Sequence, residues 1–158
     1  IISRPDISTA VLYKKAEKIE DWEIVVVKEF RSASVSDDGF VMELPGGSSK
    51  KSNKSPTETI VSEIEEEIGL SIRSWRFHLH FVRQMVSTMS IHFSYVFSVE
   101  LSDSEMDFVK SQRDKVLGVE ADTERIYIEV WKYSDIMKSD AMDWTMIGMI
   151  NQVMFEKS

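Results

Sequence analysis

The sequence predicts a mixed α/β domain, and three observations carry that reading. Segments of strand-like composition lie on both sides of one strongly signalled helix, and a second helical pattern closes the chain. A length of 158 residues suits one domain with a sizeable core, assigned here to residues 1–158. The hydrophobic fraction of 42% and charged fraction of 29% are those of a soluble globular protein, and no apolar run approaches the roughly 20 residues of a membrane span.

The elements follow in order. Thr9 to Tyr13 is a short apolar strand. Trp22 to Phe30 is a stronger one, with a β-branched centre expected to be buried on both faces. Ser32 to Gly39 has loop composition, and Phe40 to Leu44 reads as a strand stopped by the turn Pro45-Gly46-Gly47. A polar loop, Ser48 to Ser55, comes next. Ser55 then serves as N-cap, Pro56 fits the first helical position, and Glu58 completes a capping box. Ile60, Val61, Ile64 and Ile68 form the helix's apolar stripe, and Gly69 ends it. Phe77 to Met85 and Ile91 to Leu101 alternate with period two and are expected to pair as a hairpin. Ser102 to Gln112 predicts a short capped helix and Arg125 to Tyr133 a strand. Asp140 to Phe155 predicts the closing helix, its Met142, Met146, Met149 and Val153 facing the core.

The absence of cysteine removes disulfides, thiolate metal sites and thiol nucleophiles, and fits a cytoplasmic or other reducing compartment. The net charge of −8 disfavours a nucleic-acid partner. An acidic chain can still hold a phosphorylated small molecule if divalent cations lie between them. No N-terminal signal pattern is visible, and the start at Ile1 rather than Met fits a trimmed N-terminus.

The candidate chemistry lies in Ser62 to Leu70, "SEIEEEIGL". Glu63, Glu66 and Glu67 stand at i, i+3 and i+4, so they share a helix face, whereas Glu65 lies about 200° around from Glu63. Three converging carboxylates raise one another's pKa unless a cation neutralises them. An all-oxygen set suits Mg²⁺ or Mn²⁺, ions that bridge to phosphates and acidify a bound water. The competing reading is a solvated acidic face.

These residues resemble the Nudix hydrolase family, whose signature runs G-x5-E-x7-R-E-U-x-E-E-x-G-U, with U a bulky aliphatic residue. Glu63, Ile64, Glu66, Glu67, Gly69 and Leu70 match its second half, and "ELPGG" before the helix looks similar as well. The arginine position holds Ser62, the earlier glutamate position holds Lys54, and the loop after Gly47 is one residue longer than the pattern. The resemblance implies a Nudix-like α/β/α sandwich with a mixed sheet and a loop-helix metal site. It implies Mg²⁺-dependent hydrolysis of a diphosphate bond in a nucleoside diphosphate linked to another group. Glu63 and Glu67 would be the main ligands, Glu66 a supporting one, and the Gly47 carbonyl a further ligand. "GVEADTERIYIEV" is similar to an acidic segment of ADP-ribose pyrophosphatases, which makes Glu120 and Glu124 candidates for an assisting catalytic carboxylate. "EFR" followed by "GFVMELP" looks like the ADP-ribose and nucleotide-sugar branch, and places Arg31 and Glu43 near the substrate. Lys54, counted with Arg31 and Glu43 as substrate-binding, would partly replace the lost positive charge, without the guanidinium fork. That branch often dimerises, so a homodimer is expected. The alternative function is a weak or inactive Nudix-like module that senses a nucleotide or binds a protein. His78, His80 and His92 read as structural or surface residues, and Trp75, Phe77, Tyr95 and Trp131 as core before stacking platforms.

Overall fold

A computed structural model describes residues 2–31, 36–48, 53–117 and 125–158. Among these it forms a mixed eight-stranded sheet and four α-helices. The strands are β1 (Ile7–Lys14), β2 (Glu23–Phe30), β3 (Phe40–Glu43), β4 (Gly46–Ser48), β5 (His78–Gln84), β6 (Phe93–Glu100), β7 (Val116–Leu117) and β8 (Ile126–Lys132). The helices are α1 (Pro56–Ile68), α2 (Asp103–Ser111), α3 (Tyr133–Lys138) and α4 (Trp144–Lys157). The main path runs β5-β6-β1-β2-β8-β7, with β3 on β2 and β4 on β1. β1 and β6 are parallel, and the other pairs are antiparallel.

Strand alternation divides the core in two. Ala10, Leu12, Val25 and Val27 pack with Ile60, Ile64 and Ile68 of α1 and with Met106 and Val109 of α2. Val11, Tyr13, Ile24 and Val26 point the other way, toward Ile136 of α3 and Met149, Ile150 and Val153 of α4. β1 and β2 are therefore buried on both faces, as the "VVV" run in β2 indicates.

The layout that positions the site is a parting between β1 and β2. They pair only at Tyr13↔Ile24 and Lys14↔Glu23. Beyond that point β2 takes β3 as partner, and β1 takes β4. The Pro45 carbonyl closes the join by accepting from the Ala10 N–H at 3.0 Å. Gly46-Gly47, expected as a turn, is thus a short strand. A β-carbon on Gly46 would collide with the Ser8 backbone, so glycine is needed for close approach rather than for a turn dihedral.

The closing helix begins at Trp144, four residues later than Asp140, because Asp143 supplies the cap: its Oδ1 accepts from the Met146 N–H at 2.9 Å. Met142 precedes the helix yet is buried in the same core. α3 and β7 were not apparent in the sequence, both being too short to show a period. No helix of the described residues is long and apolar enough to cross a membrane.

Candidate functional site

The site starts from the placement of α1. The Ser55 hydroxyl accepts from the Glu58 N–H, and the Glu58 carboxylate accepts from the Ser55 N–H at 2.7 Å. This reciprocal cap satisfies two of the backbone donors left open at the start of the helix. The Ser55 N–H bond, foremost among its causes, holds the Glu58 carboxyl below its usual range. The Ser8 hydroxyl donates to the Pro56 carbonyl at 3.0 Å, tying the start of α1 to β1. Ile60, Ile64 and Ile68 are fully buried and fix the rotation of the helix, each contributing about 1.5–3 kcal/mol relative to exposure. Gly69 takes a left-handed φ of 77° at the C-terminal end, where a β-carbon would be strained.

That rotation turns Glu63 and Glu67 toward β4. The Glu67 carboxylate is buried and accepts from the Gly46 N–H at 3.0 Å. The half-buried Glu63 carboxylate lies over Gly47, where any β-carbon would overlap it. Glu66 and Glu65 are exposed. The structure therefore sets Glu63 and Glu67 against adjacent glycines, with Glu66 on the solvent side. Lys54 Nζ donates to the Ser62 hydroxyl at 2.7 Å, and that hydroxyl donates in turn to the Glu58 carbonyl at 3.3 Å.

A second charged group stands on β2 and β3. The Arg31 guanidinium donates to both carboxylate oxygens of Glu43, at 3.3 and 3.0 Å, and its Nη2 lies 3.1 Å from Glu29 Oε2. Glu43 is registered opposite Val27, so it shares the sheet face that α1 covers. Val27 and Glu29 alternate onto that same face. Glu29 is 8% exposed and was not singled out from the sequence. The signal was available: an acid within a strand otherwise buried on both faces needs a partner.

Glu120 and Glu124 lie outside the described residues. Trp75, read as core, is 78% exposed, whereas Phe77, two residues on, is buried as expected. Tyr95 and Trp131 are partly buried. His92 is buried and bonded to Ser90, as a structural histidine should be.

A cleft of about 380 Å³ opens elsewhere, lined by Lys28, Phe40, Arg113, Tyr127 and Glu129. Lys28 alternates with Glu29 along β2 and so stands on the opposite face from the carboxylate groups. No protein-family model matches the chain, and no curated protein shows significant similarity to it.

Proposed function

We propose that the chain is a Nudix-type, divalent-metal-dependent hydrolase acting on the diphosphate bond of a nucleoside diphosphate linked to another group, with ADP-ribose or a nucleotide sugar as substrate. The observation that carries this reading is the seating of Glu63 over Gly47 beside Glu67 on the Gly46 N–H. A surface acid cluster has no need of a cradle that one β-carbon would fill.

The donor chemistry fits Mg²⁺ or Mn²⁺: Glu63, Glu67 and the Gly47 carbonyl would hold the ion through oxygen, and Glu66, on the solvent side, would support it through a bound water. Such an ion, when bound, supplies charge neutralisation at the diphosphate and an acidified water. The chain's own contribution is orientation. The Gly46 N–H fixes one oxygen of Glu67, and the Ile60, Ile64 and Ile68 stripe keeps both carboxylates on the β4 side. Arg31, steadied by Glu43 and Glu29, is the cation assigned to the substrate side. The test is release of a nucleoside monophosphate from a panel of such substrates with Mg²⁺ or Mn²⁺, and its loss in Glu67→Gln.

A second reading, a nucleotide-sensing or protein-binding module, is favoured by one observation. The two positions that depart from the signature, Lys54 and Ser62, are bonded to each other. Calorimetry that found nucleotide binding without turnover, unchanged in Glu63→Gln, would select it.

A further inference from the structure

The edge of the sheet carries a group of side chains that the proposed hydrolase does not use. Among the described residues, His78, His80 and Glu156 bring one potential ligand atom each within 4.8 Å of one another. Two lie on edge strand β5, and the third lies on the last turn of α4.

A β-bulge brings the two histidines together. His78 pairs with Ser98 and Leu79 with Phe97, but the next pair is Phe81 with Val96, so His80 is the extra residue. The bulge leaves Leu79 exposed while His80 and Phe81 both turn toward α4. The two imidazoles meet edge-on, with centroids 4.5 Å apart. The His80 side chain is fully buried, and both of its nitrogens are engaged. Nδ1 lies 2.6 Å from Glu156 Oε2, and Nε2 lies 2.6 Å from Ser98 Oγ. An ionised carboxylate only accepts, so Nδ1 carries the proton and the Ser98 hydroxyl donates to Nε2. A hydroxyl can equally accept. With the proton moved to Nε2 and donated to Ser98, Nδ1 becomes a ligand already aimed at the Glu156 carboxylate. A metal-binding histidine is normally held in this way, its second nitrogen donating to a fixed acceptor. The ring nitrogens of His78 have no hydrogen-bond partner among the described residues. Arg83 donates to Gln152 one turn before Glu156, so β5 and α4 are joined at a second point and the site is held between two anchored elements.

We propose that His78, His80 and Glu156 bind one divalent transition-metal ion of the zinc class, clamping the C-terminal turn of α4 to the edge of the sheet. Two imidazoles and one carboxylate are the ligands of a borderline-soft ion rather than of Mg²⁺, and they leave a fourth position for water. Tetrahedral bonds of about 2.0–2.2 Å set ligand atoms roughly 3.4 Å apart. Glu156, 40% exposed at its side chain, is the group free to make that adjustment.

The test uses the whole chain after chelator treatment, titrated with Zn²⁺ by calorimetry and with Co²⁺ by visible absorption. With excess Mg²⁺ present to occupy the carboxylate site of α1, one tightly bound Zn²⁺ per chain is expected, with a raised melting temperature and the intense visible bands of four-coordinate Co²⁺. His78→Ala and Glu156→Gln alter exposed groups and should fold normally. Each should weaken Zn²⁺ binding by at least about tenfold and abolish the Co²⁺ bands, and Ser98→Ala should weaken it by roughly tenfold through the positioning of His80. Glu67→Gln should leave both signals unchanged, which separates this site from the proposed hydrolase site. Zn²⁺ binding that persists undiminished in His78→Ala, or that disappears in Glu67→Gln, would overturn the proposal, as would failure of the native chain to bind Zn²⁺.

Discussion

Lys54 Nζ donates a 2.7 Å hydrogen bond to the Ser62 hydroxyl, joining the two positions at which the chain departs from the signature it otherwise resembles. Where the signature has a glutamate and an arginine, this chain has a cation before the helix and a neutral hydroxyl on it, so an acid is lost at one position and a base at the other. The exchange has a consequence for variants. Ser62→Arg by itself sets a guanidinium against the Lys54 ammonium, and the like charges should lower stability by a few tenths of a kcal/mol. Lys54→Glu/Ser62→Arg together should recover that loss and raise turnover above either single change. A double-mutant cycle on melting temperature and on kcat/KM measures both, and additive singles would show that the two positions are not coupled.

Gly47 in β4 should tolerate a side chain in the fold but not in the site. In Gly47→Ala the new methyl occupies the space of the Glu63 carboxylate, so Glu63 must move. If Glu63 positions the ion as proposed, a misplacement of about 1 Å should lower the rate by roughly 100-fold. The fold should survive, since Gly47 is only half-buried. Circular dichroism and kcat/KM on the same preparation separate the two effects, and a fully active Gly47→Ala would show that the seat of Glu63 on Gly47 is not needed for turnover.

Gly46→Ala should act differently. Its β-carbon meets the Ser8 backbone rather than a side chain, so β4 must shift off β1. Overpacking of this kind costs about 1–3 kcal/mol. Urea denaturation should show that loss, and a midpoint equal to the native one would contradict the β1–β4 pairing.

Acid should loosen the seat of α2. The Arg76 guanidinium foremost, with Ser102 behind it, holds the Glu105 carboxyl at about 2, below its ordinary 4.5. A depressed folded-state pKa stabilises the fold above the unfolded value, and that stability is lost as pH falls from about 4.5 toward 2. Allowing for solvent screening, the pair is worth on the order of 1 kcal/mol. Glu105→Gln should lower stability at pH 7 and flatten its decline between those pH values. An unchanged slope would show that Glu105 does not drive it.

Local signals made α1 legible from the sequence. Ser55, Pro56, Glu58 and Gly69 are each read within four residues of their effect, and each does in the structure what its chemistry requires. β4 was not legible, because its pairing with Ile7 to Thr9 is non-local and glycines ordinarily mark turns. The same limit applies at the site. Glu63 and Glu67 follow from helical spacing, but the contact of Glu29 with Arg31 arises from two strands and a register. His80 meeting Glu156 spans 76 positions and a bulge, so no window of sequence contains it.

Glu63 and Glu67, held on Gly47 and Gly46, are proposed to support diphosphate hydrolysis. The direct measurement is steady-state release of nucleoside monophosphate from ADP-ribose and nucleotide sugars, with Mg²⁺ or Mn²⁺ and with chelator, for the native chain and Glu67→Gln. Metal-dependent release is expected, reduced by about 10–100-fold or more in Glu67→Gln at unchanged melting temperature. No release from any substrate, or release that Glu67→Gln leaves intact, would contradict it.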